Sequence, residues 1–579
     1  MPATRESIAL IISFFAAATS ATGGPPEFIE DAAQRGFGAQ FRDAPMITGA
    51  AAADFDKDGD IDVFVPHHRG VANALYRNNG DGTFVDIASS VGLDSMANCR
   101  GGIWFDYDND RDLDLLVGAD QWLLNDNSYL LASHVILYEQ QSNGSFVDVT
   151  AQAGLLGIYS HTSDLERGHL AAMSAGDLDC NGHTDVVVSW WAGDQFFLMN
   201  KGNGTFTAEW RVLNQNREET YWTSILWDFD GDGDLDIHQN IDFRDNRFYE
   251  NDGNGMFTDI APALGMNNAF NEMGAVLGDF DADGDFDIFA TNIFGDPGEQ
   301  YEGRHNILYR NNTASGVLSF DEVSASAGVQ NGDWGWGCSF FDYDLDSDLD
   351  LAQTNGFPRQ DGGWHIDESR LFVNNGAPIP VLTDSGLIAN DLMGGCLLTF
   401  DADRDGDLEI LETSTFEPCR FNVNQCKDVI DPNRGWVSVI PRSSGANGFA
   451  VGATVRVTHG AAAQIRPILA GQSSLGQEPH EAHFGLGDSV LALQIDVEWM
   501  DGSQTTVVNA PRDRAIVVTD RTFASGDVDE SGATDVEDLY VASTWFFDTT
   551  GDFIANADDI DALKAAARVG ETADALGVR

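Results

Sequence analysis

A nine-residue acidic loop recurs seven times along the chain, and this repetition limits the possible folds more than any other feature. The fourth copy runs from Asp228 to Asp236 with the sequence Asp-Phe-Asp-Gly-Asp-Gly-Asp-Leu-Asp. Carboxylates at positions 1, 3, 5 and 9, with the carbonyl at position 7, offer the hard oxygen ligands that Ca²⁺ prefers. Zn²⁺ would instead favour cysteine and histidine. The loop therefore predicts a calcium site, and glycine at position 6 allows the backbone to turn around the ion.

Each copy lies between two short apolar stretches, so each is predicted to join two buried strands as a hairpin. An EF-hand would need a helix on each side and a bidentate acid at position 12. Acidic turns without an ion are the alternative, but so many unpaired carboxylates within a few ångströms would repel one another strongly. The other six copies begin at Asp54, Asp106, Asp177, Asp279, Asp342 and Asp401.

The candidate metal ligands are the residues with oxygen-bearing side chains at the odd positions of these loops. They are Asp54, Asp56, Asp58, Asp60 and Asp62; Asp106, Asp108, Asp110, Asp112 and Asp114; Asp177, Asp179, Asn181 and Asp185; Asp228, Asp230, Asp232, Asp234 and Asp236; Asp279, Asp281, Asp283, Asp285 and Asp287; Asp342, Asp344, Asp346, Asp348 and Asp350; and Asp401, Asp403, Asp405, Asp407 and Glu409.

Two copies depart most from the common pattern. The third has Asn181 and His183 at positions 5 and 7, and the sixth has Ser347 in place of the glycine. His183 should weaken calcium binding little if position 7 binds the ion through its backbone carbonyl. The missing carboxylate at position 5 predicts that the third site is the weakest of the seven.

A second phrase follows the loops and is clearest between Leu75 and Ile87. It contains a strand, an Asn-Gly type turn and another strand, which is a hairpin pattern. Loop and phrase together predict four strands per unit. The loop-to-loop spacings of 52, 71, 51, 51, 63 and 59 residues lie in the range of propeller blades with insertions.

The two ends of the array predict that it closes into a ring. Residues 28–32 match the fourth-strand sequence at 84–88, whereas 419–424 match a third strand that no fourth strand follows. The N-terminal strand should therefore complete the last blade and remove an open sheet edge. The predicted fold class is all-β, with a seven-bladed β-propeller over residues 27–430.

The loops and the Asn-Gly-Phe phrase resemble the FG-GAP/VCBS repeats of integrin-alpha-type propellers over roughly residues 28–426. The segment 433–521 resembles the ASPIC/UnbV domain through Gly435–Val439, Gly452–Val457, His483–Gly487 and Val497–Gly502, with Met500 where the family usually has proline. This order of repeats and domain is similar to that of cartilage acidic protein-like proteins. The resemblance implies a small β-domain beside the propeller.

The tail over residues 525–570 has two loop–helix units that resemble a dockerin module with EF-hand-like loops. Such a module implies one or two further calcium sites and a cohesin-like partner. The first loop has acids or a hydroxyl at positions 1, 3, 5, 9 and 12 and glycine at position 6. Its candidate ligands are Asp527, Asp529, Ser531, Asp535 and Asp538.

The N-terminus predicts a secretory signal peptide over residues 1–22. Arg5 precedes an apolar run from Ile8 to Ala18, and small residues suited to cleavage follow. No stretch reaches the ~18 apolar residues that a spanning helix needs, so a secreted protein without membrane insertion is expected. Six cysteines in an exported chain could form three disulfides, and Cys419 with Cys426 is the favoured pair.

The chain carries a net charge of −62 and has a pI near 4.1. Such acidity argues against nucleic acid or an anionic membrane as a partner. The odd positions of the seven loops hold 33 of the carboxylates, so bound calcium would neutralise only part of the charge. The remaining acidic surface fits a solvated protein in a medium that contains calcium and salt.

In a blade whose acidic loop joins strands 1 and 2, the strand 2–3 loops emerge on the opposite face. Aromatic and cationic residues gather in these segments, as is typical of a ligand site at a propeller mouth. The alternative is that several tryptophans fill the narrow pore. The candidate ligand-face residues are His67, His68, Arg100, His169, Trp191, Trp222, Glu272, Trp334, Trp336 and His365.

Two functions of different classes remain open. The first is an extracellular calcium-binding module for binding or adhesion, whose ligand is a glycan, a protein or a small molecule and whose tail attaches it to a partner. The second is a propeller enzyme, a cyclase, an alkylating enzyme or a polysaccharide lyase, because some similar propellers catalyse reactions in the mouth opposite the metals. No known catalytic motif is present in the sequence. A histidine and a carboxylate within ~3 Å in a deep pocket would favour the enzyme.

Overall fold

The computed structural model describes residues 27–520 except 39–46, 69, 121, 124–128, 132, 159–167, 214–217, 296–300, 314–316, 359–363, 366, 377–379, 389–390, 416–417, 490 and 492. The predicted signal peptide and the predicted dockerin-like tail lie outside the described residues. The helices within the described ranges have four residues each. None of them is long and apolar enough to cross a membrane.

The described chain begins with strand β1 (Phe28–Glu30) and helix α1 (Ala32–Arg35), and antiparallel units of four strands follow. Unit 1 contains β2 (Ala50–Ala53), β3 (Asp62–Val65), β4 (Ala74–Asn78) and β5 (Phe84–Asp86), before helix α2 (Ala88–Val91). Unit 2 contains β6 (Cys99–Phe105), β7 (Asp114–Ala119), a small hairpin of β8 (Trp122–Leu123) and β9 (Tyr129–Leu131), then β10 (His134–Gln140) and β11 (Phe146–Asp148).

Units 3 and 4 share one continuous sheet. Unit 3 contains β12 (His169–Gly176), β13 (Asp185–Asn200) and β14 (Phe206–Glu209). Unit 4 contains β15 (Glu218–Trp227), β16 (Asp236–Ile241), β17 (Arg247–Asn251) and β18 (Phe257–Asp259), before helix α3 (Ala261–Leu264). The first half of β13 pairs with β12 and its last residues pair with β14, so β13 supplies both the second and the third strand of unit 3.

Units 5 and 6 repeat the arrangement. Unit 5 contains β19 (Ala275–Gly278), β20 (Asp287–Ala290), β21 (Ile307–Asn311) and β22 (Phe320–Glu322), before helix α4 (Ser324–Ala327). Unit 6 contains β23 (Gly335–Phe341), β24 (Asp350–Asn355), three short strands β25 (Phe357–Pro358), β26 (Trp364–His365) and β27 (Asp367–Glu368), then β28 (Arg370–Asn374) and β29 (Leu382–Asp384).

Unit 7 is completed by the N-terminal strand, as the sequence predicts. It contains β31 (Gly394–Phe400), β32 (Glu409–Ser414) and β33 (Arg420–Asn424), after the short strand β30 (Asp391–Leu392) and before helix α5 (Cys426–Val429). Strand β1 pairs antiparallel with β33, with Phe28 opposite Asn424 and Glu30 opposite Asn422. The first strands of the units contact one another in the cyclic order β2, β6, β12, β15, β19, β23, β31 and back to β2. The all-β prediction is therefore confirmed, with a propeller-like arrangement.

The C-terminal segment forms two small sheets. Its strands are β34 (Gly435–Arg442), β35 (Thr454–His459), β36 (Ala462–Pro467), β37 (Gly476–Gln477), β38 (Ala482–Gly487), β39 (Leu493–Glu498), β40 (Gln504–Ala510) and β41 (Arg514–Thr519). The sheets have the orders β38-β34-β41 and β36-β35-β39-β40 and enclose their own apolar core. We call residues 433–520 the C-terminal domain.

The link between β36 and β38 leaves the C-terminal domain and enters the middle of the ring of first strands. We call residues 470–478 the plug; residues 470–477 are buried. In unit 1, Ala50 and Ala51 pair in parallel with Gly476 and Gln477 of the plug. In unit 2, the Trp104 N–H donates to Gln477 Oε1 (2.6 Å), and Gln477 Nε2 donates to the Trp104 carbonyl (3.0 Å). In unit 3, the Ala175 N–H donates to the Ala470 carbonyl (2.7 Å).

The plug also contacts the other four units, mainly through Ser473 and Glu478. Thr223 of unit 4 and Ala275 of unit 5 both donate to the Ser473 carbonyl. The Ser473 hydroxyl donates to the Leu397 carbonyl of unit 7 (2.9 Å). Glu478 accepts hydrogen bonds from the hydroxyls of Ser339 in unit 6 and Thr399 in unit 7. The C-terminal domain therefore does more than lie beside the propeller-like ring, because its plug contacts the first strand of every unit.

All six cysteines are free thiols, so the expected Cys419–Cys426 disulfide is wrong. The two residues stand at opposite ends of β33, whose five residues span roughly 16 Å. A disulfide requires Cα atoms within about 7 Å. Cys419 packs in the core between units 1 and 7, whereas Cys426 packs against Leu345 and Trp436.

Candidate metal sites

Each acidic loop joins the first and second strands of its unit, and in the first six loops the position 1 carboxylate organises the backbone. In the fifth loop, Asp279 Oδ1 accepts the Asp283 N–H (3.0 Å) and Asp279 Oδ2 accepts the Gly284 N–H (3.1 Å). The same two bonds, to the N–H groups of positions 5 and 6, are made by Asp54, Asp106, Asp177, Asp228 and Asp342. These bonds hold the loop in a closed curve around its carboxylates.

The position 9 carboxylate ties the loop to the third strand of the unit. Asp287 Oδ2 accepts the Phe280 N–H from position 2 (3.0 Å), and Asp287 Oδ1 accepts the Asn311 N–H from β21 (2.8 Å). Asp62, Asp114, Asp185 and Asp350 make the equivalent pair of bonds. Each carboxylate oxygen has further acceptor capacity, so this residue can both support the loop and contribute to a cation site.

The carboxylates of single loops converge closely enough to share one ion. Oxygen atoms of Asp279, Asp281 and Asp287 lie within 4.8 Å of one another; positions 1, 3 and 9 also converge in the second and third loops, and positions 1, 3 and 5 converge in the first and fourth. At position 3, one buried oxygen each of Asp56, Asp179, Asp281 and Asp403 has no hydrogen-bond partner in the described part of the chain. A buried carboxylate oxygen without a partner is costly. The donor set, made only of hard oxygens, fits Ca²⁺ better than a softer metal.

Burial and mutual repulsion raise the pKa values of these carboxyl groups. The pKa of Asp54 rises to about 7, mainly through burial and then through Asp58 and Asp56. Burial likewise raises the pKa of Asp106 and of Asp279 to about 7, with further contributions from neighbouring loop carboxylates. A divalent cation would favour the ionised form of the same groups.

Two loop positions adopt left-handed backbone conformations, and the sequence indicates only one of them. Position 6 is glycine in most copies, and Arg111 (φ 72°) and Ser347 (φ 86°) adopt the same conformation. Position 4 is also left-handed in every loop but carries no common residue type. These residues are Lys57, Asn109, Cys180, Gly231, Ala282, Leu345 and Arg404.

Position 4 residues connect successive loops around the ring. Lys57 Nζ of the first loop pairs with Asp112 of the second (2.6 Å). Asn109 of the second contacts His183 of the third through their side chains (3.0 Å). Arg404 of the seventh returns to the first loop, where it donates to the Gly59 carbonyl. His183 therefore has an inter-loop contact, in addition to any role of its carbonyl.

The C-terminal domain covers part of the acidic-loop face. Arg404 pairs with Glu481 (2.8 Å), and Arg434 pairs with Asp344 (2.9 Å). In the sixth loop, the Ser347 hydroxyl donates to the Gly485 carbonyl (3.2 Å), and the Leu345 carbonyl accepts the Gly487 N–H (2.8 Å). The serine that replaces glycine in this loop thus contacts the C-terminal domain.

On the opposite face, the structure brings Arg100 and His169 together around Asp120, which the sequence did not indicate. Asp120 Oδ2 contacts His169 Nδ1 (2.9 Å) and lies 3.7 Å from Arg100 Nε, while Asp120 Oδ1 accepts the Leu170 N–H (2.7 Å). Burial opposes ionisation of Asp120, but Arg100 and His169 outweigh it and lower its pKa. Arg100 is fully buried, so this cluster ties units 2 and 3 together.

The candidate aromatic residues divide into buried and partly exposed members. Trp222 and Trp336 are buried and pack edge to face at 5.3 Å, in one cluster with Leu475 of the plug. Trp191 is partly exposed and donates from Nε1 to Asp242 (3.0 Å). The pore-filling interpretation thus fits Trp222 and Trp336, whereas Trp191 and Trp334 remain partly accessible.

Of the remaining candidates, His68 lies near Asp120 and helps to lower its pKa, whereas Glu272 and His365 belong to other units. His67 and His68 are buried in the strand 2–3 connection of unit 1. Glu272 is buried beside Asn246 and Asn268, and burial raises its pKa to about 7. The backbone of His365 lies in β26, paired opposite Phe357. The ten predicted residues therefore do not form one constellation within the described part of the chain.

Comparisons with known proteins agree with this architecture in its repeats and in its C-terminal domain. Residues 54–117 and 228–290 match the FG-GAP-like repeat, and residues 443–524 match the family described as ASPIC and UnbV. The chain carries FG-GAP-like repeats and an ASPIC/UnbV domain.

The chain is also similar to cartilage acidic protein 1 from two animals. It is 28% identical to the Xenopus tropicalis protein over 273 residues, which is 44% of this chain and 38% of that protein. It is 29% identical to the Mus musculus protein over 277 residues, which is 45% of this chain and 39% of that protein. The chain thus matches well under two thirds of the length of these relatives.

Two solved structures show a distant likeness to this chain. BBS1N in its complex with ARL6DN aligns at 10% identity with a TM-score of 0.40, over 69% of this chain and 96% of that one. Rhamnogalacturonan lyase PL11 from Bacillus licheniformis aligns at 13% identity with a TM-score of 0.34, over 65% of this chain and 71% of that one. These scores are too low to bear on function.

Proposed function

We propose that this protein is an extracellular, calcium-binding, seven-bladed β-propeller that acts as a binding or adhesion module. The observation that carries the proposal is the repeated convergence of loop carboxylates within 4.8 Å, with a buried position 3 oxygen that lacks a partner in four loops. Bound Ca²⁺ would neutralise these carboxylates. The residues at positions 1, 3, 5 and 9 would hold it, with the position 7 carbonyl.

An extracellular location is supported by three independent features. The chain begins with a sequence typical of a signal peptide, and it carries FG-GAP-like repeats. It is also similar over part of its length to cartilage acidic protein 1. Extracellular fluids supply calcium at concentrations that weak loop sites can use.

Calcium titration of the full secreted chain tests the proposal. Calorimetry and elemental analysis should show several bound ions, about seven in the propeller and one or two more in the tail. Asp232→Asn removes a position 5 carboxylate and should lose one ion. Asp252→Asn is the matched control, because Asp252 is an exposed aspartate in the β17–β18 turn of the same unit. Absence of bound calcium, or equal loss in both variants, would refute the calcium sites.

The ligand is proposed to bind on the face opposite the acidic loops, where Trp191 and His169 are partly exposed. A glycan, a protein segment or a small molecule could stack on such aromatic surface. A glycan and small-molecule screen with the calcium-loaded chain should yield a ligand whose affinity falls in Trp191→Ala. Trp210→Ala, which changes a partly buried tryptophan next to the fourth strand of unit 3, should leave affinity unchanged.

An enzyme is the second candidate, and one observation favours it. His169 Nδ1 lies 2.9 Å from Asp120 Oδ2, a pairing that orients a histidine as a general base. If the screen yields a substrate that is turned over, His169→Gln should abolish turnover and retain ligand binding. Equal turnover by this variant would exclude the histidine from catalysis.

The tail is proposed to attach the protein to a cohesin-like partner. This proposal rests on the sequence of residues 525–570 alone. Pull-down from the native secretome with the full chain, with and without Ca²⁺, should recover a calcium-dependent partner. The same chain truncated after residue 520 should not recover it, and equal recovery would place the partner site elsewhere.

A further inference from the structure

The plug is chemically unlike the core of a folded domain. Apart from Ala470 and Leu475, its residues are glycine or polar. Hydroxyls of Thr223, Ser339 and Thr399 in the channel wall are bonded to it, and Leu475 packs in an apolar cluster with Trp222 and Trp336. The plug is therefore mainly polar, and the apolar surface that its withdrawal exposes lies around Ala470 and Leu475.

The space that the plug occupies within the ring is also loosely packed on one side. A cavity of about 80 Å³ lies between the plug, the C-terminal domain and units 5 to 7. Gln472 and Glu478 of the plug line it, together with Arg466 and His483 of the C-terminal domain. Well-packed protein interiors contain few voids larger than a water molecule. The plug therefore does not fill the space that it occupies within the ring.

The acidic loops support the domain that carries the plug. Strand β36 ends three residues before the plug, and β38 begins four residues after it. Arg466 on β36 is partly buried and lies near Asp279 and Asp342, and the sixth loop bonds to Gly485 and Gly487 on β38. Strands β36 and β38 thus connect the acidic loops to the plug.

We propose that the C-terminal domain is a releasable stopper for the central channel and that the acidic loops are its latch. With cations bound, the loops keep the curved shape that holds β36 and β38, and the plug closes the channel from this face. Without cations, repulsion among the loop carboxylates distorts this support and the plug withdraws. The inference rests on the proposed cation binding by the loops.

Two cysteines report directly on the seated plug. The Cys338 N–H donates to the Ser473 hydroxyl (3.0 Å), and the Cys396 sulfur lies against Gly476, within 2.5 Å of an added Cβ. Both thiols are buried. Cys180 is exposed and serves as the reactive reference, whereas Cys99 is buried in a different core cluster from Cys338 and Cys396 and reports on general unfolding.

The test is thiol labelling of the full chain with N-ethylmaleimide, followed by peptide mass spectrometry at each cysteine. In Ca²⁺ only Cys180 should react. After chelation, Cys338 and Cys396 should react at least about tenfold faster, while Cys99 stays protected. If Cys99 becomes reactive together with Cys338 and Cys396, the chain unfolds as a whole and the latch is refuted. Calcium binding by titration without any change in labelling would also refute the latch, although the proposed function would stand.

Failure of calcium binding in that titration would instead remove the proposed function, and the latch with it.

A glycine pair then tests the plug in the presence of Ca²⁺. Gly471 (φ 106°) lies on the plug, and an added Cβ would meet the Met173 carbonyl at 2.3 Å. Gly471→Ala should therefore expose Cys338 and Cys396. The control Gly502→Ala has a similar backbone (φ 76°) with nothing within 4 Å, and should leave both protected. Equal labelling in the two variants would contradict the proposal.

Discussion

Single carboxylates in the acidic loops have different roles, which their positions in the loop determine. Position 9 residues are buried, and in five of the seven loops they accept two backbone N–H groups, whereas the position 5 residues are exposed. A position 9 aspartate therefore stabilises the fold even before a cation is considered. Mutations at different loop positions can therefore separate the loss of a calcium ligand from the loss of fold stability.

Asp287→Asn should lower the free energy of unfolding by about 1–3 kcal/mol, because an amide NH₂ would face a backbone N–H donor in a buried site. The loss should appear with and without Ca²⁺, as measured by denaturant unfolding. Asp285→Asn at position 7 is the control, since Asp285 is partly exposed and accepts no backbone bond in the described hydrogen-bond pattern. A loss confined to calcium-containing buffer would contradict the supporting role.

The third loop offers a comparison between calcium affinity and stability. Asp185 accepts the Leu178 and Asn200 N–H groups (3.0 and 2.6 Å), whereas Asp232 of the fourth loop is exposed. We expect Asp185→Ala to reduce stability more in metal-free buffer and Asp232→Ala to reduce calcium affinity more. Parallel unfolding and calcium titrations measure both effects. The opposite ranking in the calcium titration would show that the third loop is not the weaker cation site, and the opposite ranking in metal-free unfolding would contradict the supporting role of Asp185.

At the scale of elements, the edge of unit 7 depends on a strand of three residues. Phe28 of β1 is buried and stacks near Tyr343 at 6.2 Å, whereas Ile29 is 42% exposed. Phe28→Asp should detach β1, expose the β33 edge and cause aggregation, because an unpaired edge invites pairing with other chains. Ile29→Asp should remain monomeric in light scattering and size exclusion.

Deleting residues 24–34 should have the same effect as Phe28→Asp. A soluble, monomeric deletion with unchanged melting temperature would show that β1 does not secure the ring. This outcome would also leave the pairing of β1 with β33 without a role in stability.

The sequence predicted the elements that are repeated and missed those that occur once. Seven copies of one loop indicate both the strands and the site, and the match of residues 28–32 to 84–88 indicates the closing strand. The plug has no apolar periodicity, because its partners are backbone and hydroxyl groups of seven distant units, so no local pattern indicates it. The left-handed conformation at position 4 could not be predicted from the sequence either, because the loop imposes it on residues as different as Lys57 and Leu345.

For the whole molecule, the balance between charge and burial decides how stability depends on pH. Asp54, Asp106 and Asp279 have pKa values raised to about 7 in the folded metal-free chain, mainly by burial and then by neighbouring carboxylates. In the unfolded chain such groups titrate near 4. Between these values the folded state binds more protons than the unfolded state, so metal-free stability falls as pH rises.

Calcium should reverse this trend. A bound cation favours the ionised carboxylates and lowers their pKa values below those of the unfolded chain, so calcium-loaded stability is lost as pH falls. We therefore expect the melting temperature of the chelated chain to decrease from pH 5 to pH 7.5. The calcium-loaded chain should be more stable at pH 7.5 than at pH 5. Calorimetry at constant ionic strength, with Mg²⁺ as the cation control, measures both curves, and a chelated chain that gains stability with rising pH would contradict the buried, cation-dependent loops.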